Sequence, residues 1–389
     1  MEVRKLYYTD SCQKIFTGEV LACREAKAGW EVILDATAFY PEGGGQPCDT
    51  GSLGDRQVLK VWEDGDKVIH LCDGPLPVGD SVQGVIDWDR RLDLMQQHTG
   101  EHMVSGVIHR LYGYHNVGFH MGTDVITIDF DGPIAPEALP QIEDAVNAAI
   151  WENLPINCFV PPAEALPRYP YRRKKDLAWP VRLVEIPGID LCACCGTHLP
   201  YTGGVGLVKL FSCIKFHEGV RIEMACGGRA LKILSDAYAQ NRLVSQAFSA
   251  TIQQTGLAAQ RMNETLAAEK LRCANFQKRL FGALAGTYEN APFALHFEAD
   301  LTPGENRLLC DSLAARCPIA ITLAGTDKNG YSLCIISRTQ DAKALGQQAV
   351  SSLNGRGGGK REAFQGSVCA TRQEITDFFQ SALLNKNNL

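Results

Sequence analysis

The chain has 389 residues, 45% of them hydrophobic, and a formal net charge of −6. That is enough apolar material for two or three packed domains. No run approaches the roughly eighteen apolar residues of a membrane helix, and the acidic balance excludes a general affinity for phosphate backbones.

The opening MEVRKLYYTDSCQKIF lacks the plan of a secretory signal, so the expected compartment is the cytosol. In that reducing environment the fifteen cysteines are expected to be buried small hydrophobes, metal ligands or reactive thiols, not disulfides. Residues 1–88 carry short β-like runs, WEVILDATAFY and KVIHLCDG, broken by glycine, proline and aspartate, and read as a small β-barrel or sandwich. Within them LDATAFYPEGGGQPCDTG sets a glycine run between Thr37 and Gln46. Such a run allows close backbone approach. The Lys-Ser/Thr ending of a phosphate-binding loop is missing.

From residue 89 the period changes. Leu92, Met95, Met103, Val107 and Leu111 recur at helical spacing through QQHTGEHMVSGVIHR. On that helix His98 and His102, one turn apart, have Cβ atoms roughly 5–6 Å apart, close enough for both imidazoles to reach one ion. The strand VITIDF and a helix with Ile142, Val146 and Ile150 in step follow, giving an α+β domain over 89–230. The segment LCACCGTHLPYTGG adds Cys194 and His198, again four apart. Thiolate and imidazole are ligands zinc prefers, and two such pairs are far more specific than one. HTGEH alone also fits the H-x-x-E-H pattern of a zinc metallopeptidase, with Glu101 as general base, but that reading leaves Cys194 and His198 unexplained. Arg172, Arg173, Lys174 and Lys175 form a local basic patch that suits either RNA or solvent.

Over 231–286 the apolar residues Leu234, Tyr238, Leu243, Phe248, Ile252, Leu257, Met262, Leu266, Leu271, Phe276 and Leu280 recur loosely, as in a helical hairpin or imperfect coiled coil with a break near Gly256. Such a stripe pairs within the chain or makes a dimer. Residues 287–389 alternate strands, IAITLAG and YSLCIIS, with helices as an independent α/β domain, whose unusual feature is NGRGGGKREAFQGS.

The ordered set TAFYPEGGGQPCDTG, QQHTGEH, VGFHMGTDVITIDF, CCGTH and GVRIEMACGGRAL resembles the editing domain of alanyl-tRNA synthetases and their free-standing relatives, the AlaX family. The longer AlaX proteins add a helical hairpin and a synthetase-like C-terminal domain. The resemblance implies an α+β multidomain chain: an N-terminal β-barrel at 1–88, a zinc-containing editing domain at 89–230, the hairpin or coiled coil at 231–286 and the C-terminal α/β domain at 287–389. It implies zinc held by His98, His102, Cys194 and His198, the choice of Cys194 among neighbouring thiols resting on the family spacing. The implied reaction is hydrolysis of serine, or alternatively glycine, from mischarged tRNA(Ala). A pocket sized for alanine excludes glycine by only a methyl's worth of binding, roughly 1–3 kcal/mol, and rejects an added hydroxyl poorly.

By the same resemblance Thr37 is the hydroxyl partner of the seryl ester and Gln46 orients water or the ester end; Glu101, where other family members carry different residues, is a candidate proton acceptor by its place within the ion's reach. Zinc either activates water or positions the tRNA end, and four protein ligands favour positioning. The C-terminal glycine segment resembles that of the synthetase's last domain in shorter form, with Arg356, Lys360 and Arg361 as candidate RNA contacts alongside Arg172, Arg173 and Lys174. A homodimer through the hairpin or C-terminal domain is expected, and a synthetase's adenylate-forming core is not. The remaining alternative is a non-enzymatic tRNA-binding protein with structural zinc.

Overall fold

The computed structural model describes residues 3–173 and 179–384. It is a mixed α+β chain that divides into two compact units, Met1–Val244 and Ser245–Leu389.

In the first unit six strands close into a barrel in the order Ile15–Ala26, Gly29–Leu34, Lys67–Cys72, Arg56–Asp64, Gly51–Leu53 and Ser81–Ile86, each antiparallel to its neighbour. Alternation along the strands decides which face turns inward. Phe16 and Val20, then Val82 and Ile86, point into the barrel, while Ser81, Gln83 and Val85 face out. Closure leaves no open edge among these strands, and the interior is packed by Val32, Leu34, Phe39, Leu53, Val61 and Val68.

Asp87 caps the helix Trp88–Tyr112 by accepting from the Arg90 amide, and the helix stops at Gly113 with φ 76°. Every residue from Gln97 to Ile108 is buried, polar ones included, whereas Leu111 is exposed. The helix is therefore central, not a surface element with one apolar stripe. One wall beside it is the antiparallel sheet Val208–Phe216, Gly219–Cys226, Ile126–Phe130 and Asn116–Met121, and the helix Leu139–Trp151 packs Ile142, Val146 and Ile150 into the same core. A second small sheet, Asn157–Phe159, Leu183–Ile186 and Asp190–Ala193, delivers the CACC segment to the central helix. Arg91 fastens helix to barrel. Fully buried, it pairs with Asp49 (Nε to Oδ1 2.9 Å) and donates to the carbonyls of Ser11 and Ala38 at 2.8 and 2.6 Å.

The boundary between the units falls within the last turn of the helix Gly227–Ala247, and the helix Thr255–Gly286 belongs to the second unit. The interruption falls at 248–254, with Ser249 at φ 49°, and Gly256 lies inside the first turn of the later helix. In the second unit a five-stranded sheet runs Ala294–Glu298, Ile319–Thr326, Gly330–Ser337, Ala363–Val368, Arg356–Lys360. One face is covered by the end of the long helix and by Pro303–Ala314, the other by Ala342–Ser352 and Arg372–Leu384. The glycine-rich segment is a β-hairpin whose outer strand, Arg356–Lys360, is exposed throughout. All fifteen cysteines are free, and among the described residues no helix is long and apolar enough to cross a membrane.

Candidate metal centre

Two backbone segments converge on one point. The central helix supplies His98 and His102 from a single face, and the turn after Asp190–Ala193 supplies Cys194 and His198. Their donor atoms all lie within 4.8 Å of one another. The Cys194 sulfur is 3.4 Å from Nε2 of both His98 and His198. Each histidine is turned by a bond on its other nitrogen: His98 Nδ1 donates to Gln46 Oε1 at 2.8 Å, His102 Nδ1 to Asp190 Oδ2 at 3.0 Å, and His198 Nδ1 reaches Thr99 Oγ1 at 3.5 Å. Holding Nδ1–H outward fixes the tautomer that presents the Nε2 lone pair inward, which is how proteins prepare imidazoles for a metal ion.

The charges favour one thiol. Burial alone would raise Cys194, but the surrounding imidazoles of His98, His102 and His198 hold it well below the usual thiol range. Cys192 is pushed up to about 11 by burial, which outweighs the lowering pull of His102 and Arg172, and Cys195 lies exposed at the rim. His102, Asp190 and Cys192 also lie close enough to suggest a second donor set. Asp190, however, already accepts His102 Nδ1–H and is clamped by Arg172 at 2.7 and 2.8 Å, so it orients a ligand of the first set. Burial works against its charge, yet those two donors hold its carboxyl below the usual range.

The glycine run packs against this cluster. Gly44, at φ 59°, has room for no Cβ, which would sit 2.9 Å from the Cys195 sulfur. From the same loop Gln46 reaches inward: Oε1 accepts from His98 and from the Thr197 amide, while Nε2 donates to Thr197 Oγ1 at 2.8 Å. Gly196 is equally constrained, because a Cβ there would come within 2.1 Å of the His98 ring. Glu101 is buried beside His102. Its Oε1 accepts from Ser105 at 2.7 Å and from Asn116, while Oε2 lies 3.9 Å from His102 Nε2.

Residues 4–90 match the family described as tRNA synthetases class II (A), although here they form the barrel, and residues 181–223 match the threonyl and alanyl tRNA synthetase second additional domain. An alanine–tRNA ligase of Thermofilum pendens is 31% identical over 95% of this chain, which spans only 42% of that ligase. A solved C-Ala domain of Aquifex aeolicus alanyl-tRNA synthetase is 21% identical over 23% of this chain, with a TM-score of 0.22. The alanyl-tRNA editing protein Aarsd1 of Rattus norvegicus is 26% identical over 95% of this chain and 96% of its own length. The chain is thus similar to alanyl-tRNA editing proteins along nearly its whole length.

The residues selected from sequence fall into three groups. His98, His102, Cys194 and His198 come together, with Gln46 and Glu101 against them. Thr37 is fully buried in the short strand Ala36–Thr37 beside the barrel, its hydroxyl 2.8 Å from Nε2 of the barrel residue His70 and accepting from the Phe39 amide. Arg172 corrects the basic-patch expectation: its guanidinium is spent on Asp190, so it supports the centre instead of facing RNA. Arg173 is exposed, Lys174 and Lys175 lie outside the described residues, and Arg356, Lys360 and Arg361 are exposed on the C-terminal hairpin. Sequence reading missed His70, Thr99, Asp190 and Thr197. Only Asp190, two residues before Cys192, carried a local signal.

Proposed function

We propose that this chain is a trans-acting hydrolase that clears mischarged tRNA(Ala), with serine as the amino acid removed and zinc as the metal. The observation that carries the reading is the buried set of three imidazoles and one thiol, each imidazole held outward at Nδ1. Zinc–ligand bonds of about 2.3 Å to sulfur and about 2.0 Å to nitrogen at a tetrahedral angle put S and N roughly 3.5 Å apart, and both separations here are 3.4 Å. The donor set therefore fits the ion. When bound, zinc supplies a Lewis acid that attracts an oxygen of the aminoacyl end.

This chain's own residues do the rest. Gln46 fixes His98 and ties the glycine loop to Thr197. Glu101 has Oε1 engaged by Ser105 and Asn116, which leaves Oε2, on the cluster side, to hold a proton. His70 donates Nδ1–H to the Val32 carbonyl, so its Nε2 accepts the Thr37 hydroxyl proton. With Phe39 N–H on one lone pair, Thr37 retains a second acceptor position. That is the complement a seryl hydroxyl needs and an alanyl methyl lacks. The metallopeptidase reading still finds no use for Cys194 and His198.

The wider reading is a cytosolic protein of four parts, barrel, editing domain, helical pair and C-terminal domain, dimeric through its long helices. Arg173, Arg356, Lys360 and Arg361 are the remaining candidates for contact with the tRNA body. The decisive experiment incubates metal-quantified protein with Ser-, Gly- and Ala-tRNA(Ala), beside Cys194→Ala and Thr37→Val. We expect selective loss of the seryl ester, abolished together with zinc in Cys194→Ala, and a seryl preference reduced roughly tenfold in Thr37→Val, the worth of one hydrogen bond. Zinc-loaded protein that spares all three esters while binding tRNA would leave the non-enzymatic reading in its place.

A further inference from the structure

Arg182 differs from the other arginines near the centre. Arg172 is committed to Asp190 and Arg91 to Asp49, whereas Arg182 has no carboxylate partner among the described residues. Its Nη1 donates to the carbonyls of Cys194 and Gly196 at 2.8 and 3.0 Å, and its guanidinium carbon lies 4.9 Å from the Tyr8 ring centroid. These contacts fix the side chain and leave Nε and Nη2 without hydrogen-bond partners among the described residues. Both Arg182 and Tyr8 are half-buried, and the loop that Arg182 holds carries the exposed Cys195, with the exposed Gly44 against its sulfur. A part-desolvated cation ordinarily pairs with an anion, because carbonyl dipoles and an aromatic face compensate only part of the lost hydration. Among the described residues none supplies such an anion.

We propose that Arg182, backed by Tyr8, is the subsite for the phosphate of the tRNA's last nucleotide. The inference rests on the deacylase reading for the identity of its ligand. It follows from position: Arg182 grips the two carbonyls that flank Cys195, in the loop that carries Cys194 and His198. A phosphodiester one nucleotide from the scissile ester must pass such a rim if the ester is to reach the centre. Two open guanidinium donors in a planar fork match two phosphate oxygens, a geometry lysine does not reproduce. In a chain with net charge −6, an isolated cation at the entrance also supplies locally what the overall charge withholds.

The test uses the zinc-loaded full chain and two minimal substrates, 3′-O-seryl-adenosine with and without a 5′-phosphate. In the wild type kcat/KM should favour the phosphorylated substrate by about ten- to a hundredfold, the worth of one charge-assisted bond pair. In Arg182→Gln, which removes the fork, that ratio should fall to about one with zinc content retained. A wild type without the preference, or a ratio that survives the substitution, overturns the subsite. Equal losses on both substrates accompanied by zinc release would assign Arg182 to holding the loop alone and likewise overturn it.

Binding of adenosine 5′-monophosphate, adenosine and inorganic phosphate to wild type separates this idea from the deacylase reading. If neither ester is hydrolysed yet the monophosphate binds about tenfold tighter than either comparator, in an Arg182-dependent way, the deacylase reading fails and the subsite stands. Inorganic phosphate binding as tightly as the monophosphate would reduce the site to a simple anion trap and overturn the nucleotide assignment.

Discussion

His70 sits in the barrel wall, wholly buried, with Nδ1 bonded to the Val32 carbonyl and Nε2 to Thr37. Desolvation pushes its pKa from 6.5 down to about 4. The folded state therefore keeps it neutral while the unfolded chain takes up a proton as soon as pH falls below the ordinary histidine value. Stability is full above about pH 6.5 and is lost as pH falls toward about 4, by about 3 kcal/mol in all. Unfolding of wild type and His70→Gln, followed against pH across that window, should show the acid slope shrinking in the variant by this amount. An unchanged slope would show that His70 does not carry it. The His70–Thr37 pair also marks what sequence reading missed at this scale. The metal-site histidines announce themselves by four-residue spacing on a helix, but a lone strand histidine 33 positions from its threonine has no such mark. Gln46 and His98 are likewise 52 positions apart, and Asp190 and His102 are 88 apart, so those bonds exist only through the fold.

The barrel and the central helix act as one structural element because Arg91 reaches from the helix to Asp49, Ala38 and Ser11. Both members of the Arg91–Asp49 pair have no exposed side-chain surface. Removing one partner strands the other charge, which costs about 3–5 kcal/mol, whereas neutralising both recovers much of that loss. Arg91→Met should shift the denaturant midpoint by this equivalent, and adding Asp49→Asn, which still accepts the Tyr40 amide, should restore part of it. A double variant no more stable than the single one would refute the pairing argument. Glycine, proline and aspartate between β-like runs made the strands legible, as helical spacing did for Trp88–Tyr112. The all-round burial of that helix was not legible. His98, Thr99, Glu101, His102 and Ser105 look like a polar face in sequence and are covered only because the sheet and the CACC segment close over them. Gly256 misled for a related reason. Glycine is tolerated in a first helical turn, and the break instead follows from a Ser245–Ala250 bond pair, with the Ala250 amide donating to the Ser245 carbonyl and Ser245 Oγ to the Ala250 carbonyl.

On the scale of the whole molecule, the long helix Thr255–Gly286 leaves Met262, Leu266, Phe276 and Leu280 at least half exposed. At about 100° per residue these four fall within an arc of about 80°, whereas Leu257 and Leu271 lie on the other side. The arc runs about 27 Å along the helix, long enough for a seam with a second copy. Each half-exposed side chain contributes at most about 1.5 kcal/mol on burial. Two copies together then gain at most about 12 kcal/mol, within the roughly 4–15 kcal/mol cost of association. The balance predicts a reversible, concentration-dependent dimer, not a permanent one. Sedimentation from low to high micromolar concentration should show it. Leu266→Glu, which removes two seam contacts per dimer and buries two charges, should weaken association by at least about a hundredfold. Leu271→Glu, more exposed but off the arc, should leave it within about twofold, because surface changes away from a contact are usually worth under about 0.5 kcal/mol. A wild type that stays monomeric throughout, or equal effects of the two substitutions, would reject the seam and leave the apolar arc to a different partner.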